Sequence, residues 1–200
     1  MKLRDIAEIK TGLVLARKAA DPDDVTALTY KQLNLTCIRE HGEIDIAAMD
    51  TFFSTEELGC NYLTHPGDVI VRLSSPYTAV LITEETQGFV VSSYFCMIRV
   101  KEGKSVPAYV KWLLNSHMVK AQIAKNSTGV TYASIKPSFY SQLEIKPLTV
   151  AEQKKIAWIY SASQKELALL DELKDNKERL YQTVLDNLYN EKKTVVESGS

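Results

Sequence analysis

LTVAEQKKIA, residues 148–157, is the stretch at which the sequence changes character. Before it, short runs rich in β-branched and aromatic residues alternate with turn residues, as in a β-rich domain. After it there is no proline, the only glycine is Gly199, and apolar residues recur at steps of three and four, which is typical of an amphipathic helix. The sequence therefore predicts two parts that meet near residue 149.

The second part begins with a capping box, in which Thr149 can cap the first turn and Glu152 can bond back to it. We expect one long helix over residues 150–193, roughly 60 Å long at 1.5 Å per residue, and a flexible tail over residues 194–200. Apolar residues spaced as in heptads predict that this helix pairs with partner helices as a coiled coil. They are Ile156, Ile159, Leu167, Leu170, Leu173, Leu180, Val184 and Leu188.

The first part, residues 1–149, is predicted to be an α+β domain with a mixed or antiparallel sheet. Its expected strands are residues 28–35, 69–74, 79–83 and 89–100. A helix is expected over residues 107–125, with Ser105 as its cap and Pro107 in its first turn. Its core-facing residues would be Val110, Leu113, Leu114, His117 and Ala121.

Composition is that of an ordinary globular protein, with 45% apolar and 24% charged residues. No run of 18 apolar residues and no signal peptide is visible, so we expect a cytoplasmic protein without a membrane segment. The net charge of −1 gives no overall basic field of the kind that announces a nucleic-acid partner. The cysteines, Cys37, Cys60 and Cys96, are widely spaced, which favours small buried side chains over disulfides or a zinc site.

Catalytic motifs are missing from the sequence: it has no glycine-rich phosphate loop, no G-x-S-x-G and no H-E-x-x-H. The histidines are dispersed, so we expect no metal site. Because the cofactor-binding motifs are missing, we also expect no cofactor. Two triplets, residues 8–10 and 144–146, place a glutamate two residues before a lysine, as in some magnesium-dependent nucleases. Such alternation is also typical of a half-exposed strand, so a nuclease is the less favoured alternative.

Residues 127–157 resemble the conserved joint of specificity (S, HsdS-type) subunits of type I restriction-modification systems. The matching elements are Ser127-Thr128-Gly129, Ile135, Leu143-Glu144-Ile145, Pro147, and Glu152-Gln153-Lys154-Lys155-Ile156. KLRDIAEIKTG at 2–12 and LTHPGDVIV at 63–71 look like two further signatures of that family. The turn before Glu152 carries fewer prolines than is usual. The chain also has one recognition domain and one helix where complete subunits have two of each, so it resembles a half-length form.

This resemblance implies a non-catalytic subunit that binds double-stranded DNA through a target-recognition domain. Such a subunit directs methyltransferase (modification) subunits, and in some systems a restriction subunit, to a bipartite DNA site. S-adenosylmethionine and ATP would come with those partners. Two copies of this chain would form a homodimer through their long helices, and each would contact one half-site. The alternative is an adaptor or inhibitor of a modification complex that binds only protein, which the near-neutral charge favours.

Candidate DNA-binding residues are the cationic, amide, hydroxyl and aromatic residues of the expected loops, since these hold phosphates or pair with base edges. They are Arg17, Lys18, Lys31, Arg39, Arg72, Ser74, Ser75, Tyr77, Lys125, Asn126, Ser127, Thr128 and Tyr132. The loop over residues 125–132 is favoured, because it follows a helix and combines all four kinds of side chain.

Overall fold

A computed structural model describes residues 1–39, 42–126 and 134–197, with backbone alone for residues 191–197. The chain forms two compact units, Met1–Tyr160 and Ser161–Ser200. The boundary between units lies inside the long helix, eleven residues after the division predicted from sequence at 149. The first unit is an α+β domain, as predicted, and the described residues of the second form the remainder of the helix.

Among the described residues, four α-helices and seven strands precede the long helix. The strands are β1 Ala7–Thr11, β2 Leu28–Leu33, β3 Asp50–Ser54, β4 Asp68–Arg72, β5 Ala79–Leu81, β6 Val90–Val91 and β7 Phe95–Val100. The α-helices are α1 Leu3–Ile6, α2 Pro107–Asn115, α3 His117–Asn126, α4 Pro137–Gln142 and α5 Val150–Glu197. Sequence patterns located β2, β4 and β5 and merged β6 with β7. The expected strands did not include β3 or β1, although the triplet at 8–10 was also interpreted as part of a half-exposed strand.

Two sheets build the first unit. The larger has the order β1-β7-β4-β5 with every neighbouring pair antiparallel. The smaller has the order β3-β2-β6, in which β2 runs antiparallel to β3 and parallel to β6. The prediction of a mixed or antiparallel β-rich domain is therefore confirmed.

The larger sheet is buried on both faces. Val69 and Val71 of β4 contact a core formed with the helices, whereas Ile70 between them contacts a second core beside the smaller sheet. Successive side chains of a strand point to opposite faces, so burial of both faces requires an uninterrupted apolar run. This requirement explains the sequence VIV in β4.

Residues 107–126 form two helices, where the sequence predicted one. The chain leaves the helical conformation at Ser116, which rotates the second helix, so that Val119 and Ile123 are buried while His117 and Ala121 are exposed. The prediction that His117 and Ala121 face the core is therefore wrong. The break is not visible in the sequence, because one continuous helix and two separate helices would both have apolar residues at helical spacing.

The chain passes from the larger sheet to the smaller one at Gly12. The Gly12 amide donates to the carbonyl oxygen of Phe95 at 3.1 Å, and the next amide, that of Leu13, donates to Val91 at 2.7 Å. A Cβ atom on Gly12 would lie 2.2 Å from the backbone oxygen of Ser92. The crossing therefore requires a residue without a side chain.

The start of α5 has the capping box predicted from the sequence. The Thr149 amide donates to the Glu152 carboxylate at 2.8 Å, and the Glu152 amide donates to the Thr149 hydroxyl at 3.3 Å. The helix continues to Glu197, beyond the predicted end at residue 193. Among the residues that the structure describes, no helix has the length and apolarity needed to cross a bilayer.

Candidate nucleic-acid interface

The turn between β4 and β5, residues 73–78, brings three of the predicted DNA-binding residues together. Ser74, Ser75 and Tyr77 lie on it, and Ser75 is exposed. The Ser75–Pro76 peptide bond is cis and Tyr77 has a positive φ of 55°, which is uncommon for a side chain of this size. The positive φ of Tyr77 is a conformation that the surroundings of this β4–β5 turn must hold.

Arg72, a further candidate, binds this turn from its own strand. Its backbone amide donates to the carbonyl oxygen of Thr78 at 3.1 Å, and its Nη2 donates to that of Ser75 at 3.1 Å. Its Nη1 donates at 3.3 Å to the carbonyl oxygen of Leu35, which follows β2. Arg72 thereby joins the turn to the end of the smaller sheet. Desolvation by burial lowers the pKa of its guanidinium, but the group stays charged at neutral pH.

Lys120, on α3, binds the same turn from the helical side. Its ammonium donates to the carbonyl oxygen of Pro76 at 2.5 Å and to that of Tyr77, and it lies 5.9 Å from the centroid of the Tyr77 ring. Burial, with the nearby Arg72 charge as a second cause, lowers the pKa of Lys120 to about 8. Arg72 and Lys120 thus lie near each other in a partly desolvated environment, which favours an anionic partner.

Asn115, the last residue of α2, fixes the far end of the turn. Its side-chain oxygen accepts from the Ala79 amide at 2.9 Å, and its side-chain nitrogen donates to the Ala79 carbonyl oxygen at 2.8 Å. The amide group therefore pairs with Ala79 as a neighbouring strand would. Neither Asn115 nor Lys120 was found by sequence reasoning, since their partners are backbone groups 36 to 44 residues away.

The remaining cationic candidates do not join this cluster. Lys18 forms an ion pair with Glu56, and Arg39 forms one with Asp45 at 2.5 Å. Both charges are therefore partly compensated within the chain. Arg17 ends a 3-10 turn and Lys31 lies on β2, and both are exposed.

The loop favoured from the sequence lies largely beyond what can be described. Lys125 and Asn126 close α3, both are exposed, and the Asn126 side chain donates to the carbonyl oxygen of Gln122 at 2.8 Å. Ser127, Thr128 and Tyr132 fall outside the described residues. The β4–β5 turn is therefore the best defined part of the candidate interface.

The Gly67-Asp68 pair has a structural role that its sequence did not reveal. Asp68 is buried and accepts two hydrogen bonds from Arg99 of β7, at 2.8 Å from Nε and 2.7 Å from Nη2. His65 contacts the same guanidinium through Nδ1 at 2.5 Å. Hydrogen bonding to Asp68 raises the pKa of Arg99. This ion pair fastens β4 to β7 at the end of the sheet opposite the β4–β5 turn.

The nuclease-like triplets lie in ordinary strand surroundings. Glu8 and Lys10 of β1 form an ion pair at 2.8 Å with each other; Glu8 is exposed and Lys10 is partly buried. Glu144 forms an isolated β-bridge with Lys2. Within residues 1–39, 42–126 and 134–197, no three His, Cys, Asp or Glu side chains are grouped so that they could hold a metal ion.

Gln153 anchors the start of α5 to the domain. Its buried side-chain oxygen accepts from the Ser105 hydroxyl at 2.8 Å and from the Val106 amide at 2.9 Å, and its nitrogen donates to the Leu148 carbonyl oxygen at 3.0 Å. The predicted capping of α2 by Ser105 is wrong, because Val106 occupies the cap position and the Ser105 hydroxyl bonds to Gln153. Pro107 does lie in the first turn of α2.

The residues predicted for helix pairing fall into two groups. Ile156 is half-buried against the core of its own domain. The others are about half exposed, with 51% for Leu173 and 58% for Leu180 as examples. These exposed members are Ile159, Leu167, Leu170, Leu173, Leu180, Val184 and Leu188.

Comparison with known proteins gives matches at the level of structure. No family model matches the sequence, and no curated protein matches it. A structure from a study of complex assembly and conformational transition in the type I R-M system matches with a TM-score of 0.66 at 19% identity, over 92% of this chain and 47% of that one. The HsdS subunit from Thermoanaerobacter tengcongensis matches with a TM-score of 0.64 at 18% identity, over 86% of this chain and 43% of that one.

A third match is the type I restriction-modification system S subunit from M. genitalium, with a TM-score of 0.54 at 18% identity. It covers 86% of this chain and 40% of the other. This chain thus spans less than half the length of each of these three structures. Its fold, an α+β domain followed by a long helix, is the fold of type I restriction-modification specificity subunits, over the length of one half.

Proposed function

We propose that this chain is a DNA-binding specificity component that directs a separate DNA methyltransferase to its target site. The observation that carries the proposal is the combination of this fold with the β4–β5 turn, at which Arg72 and Lys120 bind neighbouring carbonyl groups. Catalysis would belong to the methyltransferase, and a restriction subunit could use the same complex. We infer that neither S-adenosylmethionine nor ATP binds to this chain.

Local charge supports contact with DNA in spite of the net charge of −1. Phosphates are bound by local groups of Lys and Arg, so the total charge of the chain does not decide the matter. Arg72 and Lys120 give the turn local positive charge while they hold its carbonyl groups, and the hydroxyl residues Ser74 and Ser75 on the turn can approach phosphate or base edges.

A second copy of the chain is the partner that we infer for the α5 helix. The exposed row Leu167, Leu170, Leu173, Leu180 and Leu188 lies along one side of the second unit. Rows of large apolar residues at heptad spacing are buried by partner helices. A two-fold dimer would carry two recognition domains, and its DNA site would consist of two inverted half-sites with a spacer between them.

DNA binding is tested by fluorescence anisotropy with a labelled random-sequence duplex. The full chain is titrated alone and with the modification subunit purified from the same host, at about 50 mM and about 200 mM salt. We expect binding with the modification subunit present, weakened about a hundredfold at the higher salt if about four phosphates are neutralised. The modification subunit alone is the control. An absence of binding at low salt with the partner present would refute the proposal.

Dimerisation is tested separately by sedimentation of the isolated chain, whose mass is 22.5 kDa. We expect twice this mass for the wild type and for Ser161→Glu, and the monomer mass for Leu170→Glu. Ser161 lies nine residues before Leu170, which is half a turn around the helix axis at 100° per residue, so the two variants place the same charge on opposite sides. A wild-type monomer at high concentration would refute the homodimer.

A protein-only adaptor is the second candidate function. The ion pairs of Lys18 with Glu56 and of Arg39 with Asp45 favour it, because they compensate two of the candidate cations. The adaptor predicts a stable complex with the modification subunit whose DNA affinity equals that of the modification subunit alone. The anisotropy titration described above separates the two functions.

A further inference from the structure

We propose that Lys120 is a positioning residue, which holds the β4–β5 turn in one conformation so that the exposed side of the turn can recognise DNA sequence. This inference rests on the proposed function and extends it. It assigns sequence recognition to residues 74–77 and assigns the support of these residues to a lysine on a different element.

The carbonyl groups of the turn show how it is held. The Ser74 carbonyl accepts from the Tyr77 amide at 2.8 Å, and the Thr78 carbonyl accepts from the Arg72 amide at 3.1 Å. Between them, the carbonyls of Ser75, Pro76 and Tyr77 all accept from the two cationic side chains. Each carbonyl from residue 74 to residue 78 thus has a donor within the domain.

The position of Lys120 in the fold makes it a firm support. Its helix, α3, is packed into the main core by Val119 and Ile123, both buried. Asn115 on the preceding helix holds Ala79 just after the turn. Because Lys120 is anchored in a packed helix, its hydrogen bonds hold the turn in place relative to the core of the domain.

The same hydrogen bonds set the electrostatic character of the turn. A peptide carbonyl carries partial negative charge, which would repel a nearby phosphate. In this turn the carbonyls of residues 75–77 are directed at Lys120 and Arg72, so these dipoles are paired with positive charge. Ser75, which is exposed, can then approach DNA while Arg72 binds its carbonyl group.

Recognition of bases requires such restraint, because a mobile loop must be ordered on binding and that ordering costs free energy. The loss of a hydrogen bond to a charged donor changes a local equilibrium by about tenfold. We therefore expect Lys120 to affect discrimination between sequences more than it affects attraction to DNA in general.

The test compares the wild type with Lys120→Met, Lys120→Arg and Lys104→Met, each as the full chain with the modification subunit present. Methionine removes the donors and the charge, whereas arginine retains both. Lys104 is an exposed lysine of the segment that follows β7. Since β4 and β7 are antiparallel, with Asp68 opposite Arg99, this segment leaves the sheet at the end opposite the β4–β5 turn. Lys104→Met therefore controls for the loss of one charge.

Two quantities are measured. Hydrogen exchange followed by mass spectrometry reports the opening of the turn peptide without DNA. Selection from a random duplex library, followed by sequencing and anisotropy, gives the ratio of affinities for selected and random duplexes. For Lys120→Met we expect exchange about tenfold faster and an affinity ratio about tenfold lower. Lys120→Arg should recover most of both, and Lys104→Met should resemble the wild type.

The outcomes separate this inference from the proposed function. If Lys120→Met leaves either the exchange or the affinity ratio unchanged while the wild type selects a sequence, the role of Lys120 is refuted and the proposed function stands. If the wild type selects no sequence, both are refuted. Should Lys120→Met fail to fold, the selection is repeated with Ser75→Ala. A changed preference at one or two base positions supports sequence recognition by the turn. An unchanged selected sequence overturns this inference.

Discussion

Replacement of Gln153 by alanine should weaken the attachment of α5 to the domain. The substitution removes three hydrogen bonds that link Gln153 to Ser105, Val106 and Leu148. At a net value of about 1 kcal/mol for each bond, the free energy of unfolding falls by about 3 kcal/mol. With a urea dependence of about 2 kcal/mol per molar, the unfolding midpoint moves down by about 1.5 M.

Urea titration followed by circular dichroism measures this shift. Gln164→Ala, at a half-exposed position farther along the same helix, is the matched control and should move the midpoint by less than about 0.3 M. Both substitutions change helix propensity equally, so their difference reports the contacts of Gln153. A shift of less than about 0.5 M for Gln153→Ala would show that the three bonds do not hold the helix start.

Gln153→Glu adds a pH dependence of known sign. A protonated glutamate can donate to the Leu148 carbonyl oxygen as the amide does, whereas the carboxylate cannot, and burial raises the pKa of such a group. A folded pKa above the unfolded value contributes stability at low pH that is lost as pH rises through the folded pKa. The deficit of Gln153→Glu relative to the wild type should therefore be small near about pH 4 and largest at neutral pH. A deficit independent of pH would contradict this account.

Three further predictions concern the domain itself. Gly12→Ala should lower the free energy of unfolding by about 3 kcal/mol or prevent folding, because its Cβ would lie 2.2 Å from a backbone oxygen. Urea titration measures this loss, and a loss below about 1 kcal/mol would contradict the close approach. Asp68→Ala should lower the free energy of unfolding by about 3 kcal/mol, because it leaves Arg99 without its buried carboxylate. Urea titration measures this as well, and a near-neutral effect would show that the ion pair does not stabilise the sheet. Iodoacetamide at about pH 8 should label Cys60 alone in the native protein, because it is exposed while the other two cysteines are buried, and burial raises the pKa of Cys96 to about 12. Rapid native labelling of a second thiol, seen by mass spectrometry, would contradict the described core.

The sequence placed Ser74, Ser75 and Tyr77 in a turn, where the structure has them, and named Arg72 beside it, but it did not identify the other residues that hold the turn. That these residues bind DNA stays a prediction. Ser74, Ser75 and Tyr77 were found because hydroxyl residues around a proline are typical of turns. Lys120 and Asn115 were missed, since a helical lysine that bonds to distant carbonyls has the same local sequence pattern as a solvated one. The compensation of Lys18 and Arg39 by acidic residues was missed for the same reason.

The long helix and its start were determined by the sequence alone. A capping box at Thr149 and Glu152 and a run without proline specify α5 through contacts of at most four residues along the chain. The alternation of strands and turns likewise determined the α+β class, because both patterns depend on local geometry.

Only the tertiary structure decided which side chains meet. It placed the break at Ser116 and brought Lys120 to the β4–β5 turn, and it buried Gln153 against the start of α2. The contacts of Lys120 and Gln153 join residues far apart in the chain, and their free energy comes from packing and hydrogen bonds that exist only when the sheets and helices have assembled. Local propensity predicts most elements of this protein, although not β3 or the break at Ser116, and only assembly brings together the residues that support its candidate DNA-binding turn.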